Sequence, residues 1–213
     1  MDYINQITPV LAKASLLTIE LLILTILIST PLGLLVAIGK ISKLKPLVLL
    51  LDLYIYVIRG TPLLLQILFI YYGLPTVGIK LDSFPAAVLA LVINYTAYLA
   101  EIIRAGIVSI DKGQYEAAKV LGMSYKQTMQ KIVVPQAFKR VLPPICNEYI
   151  VLIKDTALVS VIGMEELLRA TKQIVARDFT MTPFLVAAVI YLIITAVFTV
   201  IFNKLEKKFS IYE

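Results

Sequence analysis

Long apolar runs dominate the chain, and short polar segments separate them. A helix of about 20 apolar residues crosses a bilayer, and the runs reach or approach that length. The pattern predicts an all-α membrane protein with one domain, residues 1–213. Five spans are expected, at about 14–39, 47–73, 84–110, 132–157 and 183–205.

Proline positions predict where the helices are interrupted. Thr61 followed by Pro62 is typical of an N-cap and a first helical position, so a new helix is expected to begin there. Pro143 and Pro144 predict an interruption of the fourth span. Residues 1–13 are expected to form a short amphipathic lead-in to the first span.

One polar, helix-prone segment, residues 111–135, lies between two apolar spans, and we call it the polar elbow. Gly122 is predicted to end its first short helix, because glycine adopts the left-handed C-cap conformation without steric cost. Ser124 and Gln127 have the spacing of a capping box that starts a second short helix. Two interpretations remain open, a solvated basic loop and a docking element for a soluble partner. Three lysines are expected on its exposed face: Lys119, Lys126 and Lys131.

The composition agrees with a membrane protein, since 60% of the residues are hydrophobic against roughly 45–50% in soluble domains. The net charge of +6 is concentrated at span ends, which is typical of topology determinants and not of a nucleic-acid-binding surface. Thirteen of the twenty basic residues lie in the segments 40–45, 104–140 and 204–208. The positive-inside rule therefore predicts an external N-terminus, with the polar elbow and the C-terminus in the cytoplasm.

The sequence argues against chemistry performed by this chain. It contains no histidine, which excludes histidine-based proton relays and Ser-His-Asp catalysis. No Gly-x-x-x-x-Gly-Lys-Ser/Thr phosphate loop is present, so any dependence on ATP requires a partner. We predict no catalytic residue, no metal site and no cofactor bound by this chain.

Four motifs carry a family resemblance. The first is Glu-Ala-Ala, three residues, Gly, nine residues and Ile-Val-Val-Pro over residues 116–135, and it resembles the EAA loop of ABC importer permeases. The motifs at 59–63, 94–101 and 154–158 resemble the polar amino acid branch, the type I histidine, glutamine and arginine permeases. Two departures occur: Val134 stands where the family usually has leucine, and Arg-Ala-Gly over residues 104–106 replaces Arg-Gly-Gly.

The resemblance implies a multi-pass permease subunit of an ATP-driven amino acid importer in the bacterial cytoplasmic membrane. It implies a second permease subunit, for which we favour a homodimer, two cytoplasmic ATPase subunits that bind ATP and Mg, and an extracytoplasmic amino-acid-binding protein. It also implies that the polar elbow couples the spans to the ATPase. The residues assigned to coupling are Tyr115, Glu116, Ala117, Ala118, Leu121, Gly122 and Ser124.

Polar residues inside the third and fourth spans are candidates for substrate binding, since ionisable groups in membrane helices usually face a cavity or a partner. They follow helical spacing or lie where the fourth span is expected to fray, and unwound backbone there would offer free polar groups. The candidates are Asn94, Tyr98, Glu101, Glu148, Asp155, Thr156 and Ser160. Hydrogen bonding between helices is the alternative for Asn94 and Tyr98, and pairing with Arg104 is the alternative for Glu101.

Because these stripes contain acidic side chains and no basic residue before Lys154, we expect a cationic amino acid as substrate. Asp52 and Arg59, seven residues apart, are expected to pair with each other. An amphipathic helix over about 163–176 suits an external lid or docking rim, or a plain interfacial helix. The alternatives for the whole chain are an ATP-independent secondary transporter, a membrane enzyme and a structural subunit.

Overall fold

The computed structural model describes residues 2–209, and this part of the chain folds into helices without any strand. The helical class is therefore confirmed. Three helices are long and apolar enough to span a membrane, or four if the bent pair Lys45–Gly60 and Leu63–Val77 is one span. The α-helices are α1 (Asp2–Lys40), α2 (Lys45–Gly60), α3 (Leu63–Leu68), α4 (Ser83–Val108), α5 (Lys112–Val120), α6 (Tyr125–Thr128), α7 (Val134–Asp155), α8 (Leu167–Asp178) and α9 (Thr182–Phe209).

Helix α1 is continuous from Asp2 to Lys40, so residues 2–13 are helical and join the first span without a break. Its first turns are held by α8, because Ile7 and Leu11 are buried in a cluster with residues of that helix. Tyr3 also donates a 2.7 Å hydrogen bond to Asp178 at the end of α8. Tertiary packing thus extends the helix beyond the apolar run that the sequence pattern marks.

Small residues let α4 pack closely between α1 and α7. A Cβ added to Gly33 of α1 would lie 2.8 Å from the Cβ of Leu99, and one added to Gly106 would lie 2.0 Å from Cγ1 of Val141. Membrane helices without large side chains at the contact can approach in this way. Helix α4 is consequently the central helix, with 67% of its most apolar window buried.

The chain bends by 105° between α2 and α3. The sequence predicted that Thr61 caps the new helix, and this prediction is wrong. The Thr61 hydroxyl instead donates to the Val57 carbonyl at 2.9 Å. Gln66 secures the bend instead: its amide nitrogen donates to the Ile58 carbonyl at 2.8 Å, and its amide oxygen accepts from Asn94 at 3.0 Å. The break is therefore tied directly to α4.

Helix α7 runs through Pro143 and Pro144, so the predicted interruption is wrong. Both prolines are exposed at the surface, and membrane helices accommodate proline where surrounding groups satisfy the freed carbonyls. After Asp155 the chain tightens into a 3-10 helix, Thr156–Ile162, instead of unwinding. Backbone groups in this segment are thus largely engaged in helical hydrogen bonds.

Helix α8 begins at Leu167, four residues later than the lower bound of the predicted amphipathic helix. Glu166 is its N-cap, and the carboxylate accepts 2.7 Å hydrogen bonds from the backbone N–H groups of Leu168 and Arg169. The Glu166 side chain is fully buried. Burial raises the pKa of this carboxyl, and the two backbone donors act in the opposite direction.

The polar elbow consists of α5, a tight turn and α6. Gly122 has a φ of +72°, and the N–H groups of Gly122 and Met123 donate to the carbonyls of Lys119 and Ala118, respectively. These two bonds form a Schellman C-cap. The capping box is confirmed, because Ser124 and Gln127 exchange hydrogen bonds of 2.8 and 3.3 Å.

Candidate functional site

A cavity of about 520 Å³ lies where the α2–α3 break faces α4 and α7. Residues 60–63 of the break form one wall, and polar side chains from the helices form the others. Four of the seven predicted substrate residues line this cavity, and after that prediction we call it the amino acid pocket. Its polar lining side chains include Arg59, Asn94, Tyr98, Glu148 and Asp155.

Neighbouring helices hold the lining groups in place. The buried Tyr95 donates a 2.8 Å hydrogen bond from its hydroxyl to the Asp155 carboxylate. Asn94 is held by its 3.0 Å bond to Gln66, which also secures the helix break. Asn94 therefore lines the pocket and also makes a hydrogen bond between helices, which was the alternative interpretation for this residue.

Arg59 was missed as a pocket residue, because the sequence suggested that it pairs with Asp52. Its guanidinium instead lies 5.1 Å from the centroid of the Tyr98 ring, within the range of a cation–π contact. The available sequence clue was its position directly before Gly60, where the chain breaks. Arg59 lies in the last turn of α2, and this position places its guanidinium in the pocket.

The pocket thus contains two carboxylates, Glu148 and Asp155, and one guanidinium. The charge count made from the two stripes alone is incomplete, since Arg59 of α2 also lines the pocket. Opposite charges in one cavity suit a zwitterion, which presents a carboxylate and an ammonium group a few bonds apart. One carboxylate remains in excess after Arg59 is matched.

Glu101 lies outside the amino acid pocket and belongs to an ion network at the ends of α1 and α4. Lys40 donates to Glu101 at 3.0 Å and pairs with Asp52 at 2.8 Å. Arg104 also pairs with Glu101, as the alternative interpretation anticipated. Asp52 therefore pairs with Lys40, and the predicted pair between Asp52 and Arg59 is wrong.

Thr156 and Ser160 also lie outside the pocket lining. Thr156 is fully buried, and its hydroxyl donates to the Ile153 carbonyl at 2.7 Å. The Ser160 carbonyl accepts hydrogen bonds from Gly163 and from Arg169. Both residues therefore stabilise the 3-10 helix beside the pocket, and the expected unwound backbone is replaced by paired groups.

The predicted coupling residues divide into a supporting group and an exposed group. Ala118 is buried, and Tyr115 packs against a cluster that joins the elbow to α4 and α7. Sequence reasoning missed two members of an apolar cap on the elbow, Val120 and Tyr125. Val120 is 88% exposed, Tyr125 is 70% exposed, and the third member, Leu121, is 77% exposed. The remaining coupling residues are also exposed: Glu116, Ala117, Gly122 and Ser124.

The comparison with known proteins decides the family. A family model described as "Binding-protein-dependent transport system inner membrane component" matches residues 29–211. This chain belongs to that family. Membership places the protein in the inner membrane as a multi-pass component and confirms the resemblance to amino acid ABC transporter permeases.

Relatives with different named substrates are similarly close. The "Arginine transport system permease protein ArtQ" of Bacillus subtilis (strain 168) is 40% identical over 202 residues, covering 94% of this chain and 92% of the relative. The "Glutamine transport system permease protein GlnP" of Escherichia coli (strain K12) is 44% identical over 161 residues, which is 74% of each chain. Overall identity therefore does not decide the substrate.

Solved structures agree with the fold. A chain from the "Crystal structure of an amino acid ABC transporter with histidines" has a TM-score of 0.91 and 41% identity, with 97% of each chain covered. A chain of the MetNI methionine ABC transporter has a TM-score of 0.68 at 16% identity and supports the fold alone, with 93% of this chain and 94% of the other covered.

Proposed function

We propose that this chain forms the membrane path of an ATP-driven importer for a polar, cationic amino acid. A second permease subunit, in a homodimer, completes the path, and two cytoplasmic ATPase subunits bind ATP and Mg. An extracytoplasmic binding protein delivers the amino acid. The permease chain crosses the membrane five times with its N-terminus outside.

The charge balance of the amino acid pocket carries the substrate proposal. The carboxylate of an amino acid is matched by Arg59, and its ammonium group by Glu148 or Asp155. The other acidic side chain remains for a cationic substrate side chain, because a carboxylate removed from water requires a counter-charge. The arginine named for ArtQ is consistent with this balance.

The polar elbow supports the coupling proposal. Capping bonds stiffen its turn, while the apolar side chains of Val120, Leu121 and Tyr125 are exposed beside polar groups. Exposed apolar clusters with polar surroundings are typical of protein interaction sites. An ATPase groove that receives this cap would turn movement of the ATPase into rigid-body rotation of α4 and α7.

Contacts at one end of the bundle support the orientation. Lys40 at the end of α1 reaches Glu101, Arg140 donates to the Ser109 carbonyl at 2.6 Å, and the Phe138 ring packs on Phe209. These contacts bring the three most basic segments together near the polar elbow. The positive-inside rule assigns such an end to the cytoplasm.

Uptake into proteoliposomes tests the proposal. The permease is reconstituted with its ATPase and binding protein, and radiolabelled arginine competes with unlabelled lysine, glutamine and glutamate. We expect ATP-dependent uptake in which lysine competes best, and preference for glutamate would overturn the substrate class. Uptake that persists without ATP or the ATPase would overturn the importer and favour a secondary transporter.

A further inference from the structure

The short helix α8 lies against the same 3-10 helix that borders the amino acid pocket. We propose that Arg169 of α8 is a positioning residue for this pocket, because it holds the 3-10 helix that directly follows Asp155. The proposal rests on the proposed function in one respect, since it takes the pocket as the substrate site. It assigns to α8 a role in substrate affinity besides that of a surface rim.

Hydrogen bonds fix the first turn of α8 and therefore the backbone of Arg169. The Glu166 carboxylate accepts 2.7 Å hydrogen bonds from the N–H groups of Leu168 and Arg169 and is fully buried. The Tyr191 hydroxyl of α9 donates to the same carboxylate at 3.1 Å. A buried acid with three donors anchors the helix start to α9.

From this anchor the Arg169 guanidinium reaches the 3-10 helix. Its Nη1 donates to the Ser160 carbonyl at 3.1 Å, and the Gly163 N–H donates to the same oxygen at 3.2 Å. At the other end of the segment, the Thr156 hydroxyl donates to Ile153. Val159 between these ends is buried in the main core. The 3-10 helix is therefore a short strut fixed at both ends.

The strut ends at a pocket group. Asp155 immediately precedes Thr156, lines the pocket, and accepts the 2.8 Å bond from Tyr95. A shift of the strut therefore moves the Asp155 carboxylate relative to Tyr95 and to the opposite pocket wall. Catalytic and binding groups tolerate little displacement of this kind, so a remote residue that fixes the strut affects affinity.

One further observation distinguishes Arg169 from a purely structural arginine. Its Nε is buried, and no hydrogen-bond partner for it occurs among residues 2–209. The guanidinium thus has a second donor beside the one that binds Ser160. Buried donors without a partner are rare in folded proteins, so the position of this guanidinium is not explained by its own hydrogen bonds alone.

Equilibrium binding to the assembled permease–ATPase complex tests the proposal, with radiolabelled arginine and glutamine as probes. Arg169→Gln is expected to raise the Kd about three- to tenfold, in the range of coupling through packed networks. Arg169→Lys retains a donor and is expected to recover most of this loss. The control is Lys172→Gln, which removes an exposed cation from the same helix and leaves the Kd unchanged.

A double-mutant cycle identifies the path of the effect. In an Asp155→Asn background, Arg169→Gln is expected to change the Kd by less than twofold, because both substitutions act on one group. Additive effects, or an unchanged Kd for Arg169→Gln alone, would overturn the proposal. Equal melting temperatures for Arg169→Gln and Lys172→Gln exclude unfolding as the cause of an altered Kd. If neither probe binds the wild-type complex, the proposed pocket falls together with this inference.

Discussion

The polar elbow and the amino acid pocket differ in what determines their geometry. The turn of the elbow is built from hydrogen bonds between residues at most five positions apart, such as those of Gly122, Ser124 and Gln127. The pocket is built from contacts between distant segments, such as Tyr95 with Asp155 and Gln66 with Asn94. Neighbouring residues in the sequence determine the geometry of the elbow, whereas the geometry of the pocket depends on how the helices pack.

Under the proposed function, this difference has a counterpart in what each region does. A surface that docks into another subunit benefits from a shape that does not depend on the state of the helix bundle. A pocket that must open and close benefits from contacts that helix movements can change. The two regions are linked, because Tyr115 of the elbow packs in the cluster that also contains Ile103 of α4 and Ala137 of α7.

The largest expected effect concerns the elbow cap. Replacing both Val120 and Leu121 by aspartate puts two charges into the surface that we assign to the ATPase contact, without disturbing a buried residue. We expect co-purification with the ATPase and uptake to fall at least about thirtyfold, as for interface hot spots. The control is Val77→Asp, another strongly exposed apolar position (71%) that lies outside the elbow. Intact co-purification of the double variant would remove the elbow from the interface.

A smaller effect is expected when one pocket charge is removed. Glu148→Gln eliminates one of the two carboxylates and leaves the Arg59–Tyr98 contact in place. We expect the KM for arginine to rise roughly tenfold, which corresponds to about 1.4 kcal/mol, while the KM for glutamine changes less. Competition uptake measures both values. Glu20→Gln, at an exposed position of α1, is the matched control, and equal losses for both substrates would argue against charge matching.

The helical class and the capped elbow could be predicted from the sequence, because apolar runs and cap residues act locally. The partners of Arg59 and Asp52 could not, since helical spacing shows which side chains share a face but not which helix that face meets. The sequence placed Arg59 with Asp52, whereas the fold brings Lys40 to Asp52 and Tyr98 to Arg59. The prediction that Pro143 and Pro144 interrupt α7 failed for a related reason. Packing, and not local preference, decides whether a proline ends a membrane helix.

Close packing of α4 against α7 is tested at Gly106. A methyl group added there meets Val141 at 2.0 Å, so Gly106→Ala is expected to destabilise the protein by about 1–3 kcal/mol. Adding Val141→Ala is expected to restore most of the loss. Thermal unfolding of the purified complex measures both variants. Gly60→Ala is the control, because nothing lies within 4 Å of an added Cβ at that position, and a cost equal to that of Gly106→Ala would show that backbone effects dominate.

The smallest effect is expected at the contact between the ends of α1 and α8, which, like the pocket, joins distant parts of the chain. The Arg177 guanidinium, followed by the Tyr3 hydroxyl, lowers the pKa of Asp178 from 3.8 to about 2. A depressed pKa stabilises the fold above the unfolded value, and the contribution is lost as the pH falls from about 3.8 to about 2. The difference in melting temperature between wild type and Asp178→Asn is therefore expected to be small at neutral pH and to vanish near pH 2. Asp82→Asn, an exposed acid whose side chain makes no cap hydrogen bond, is the control. A melting-temperature difference that persists unchanged at pH 2 would show that the contact depends on packing and not on charge. The contact would then resemble the packing contact at Gly106.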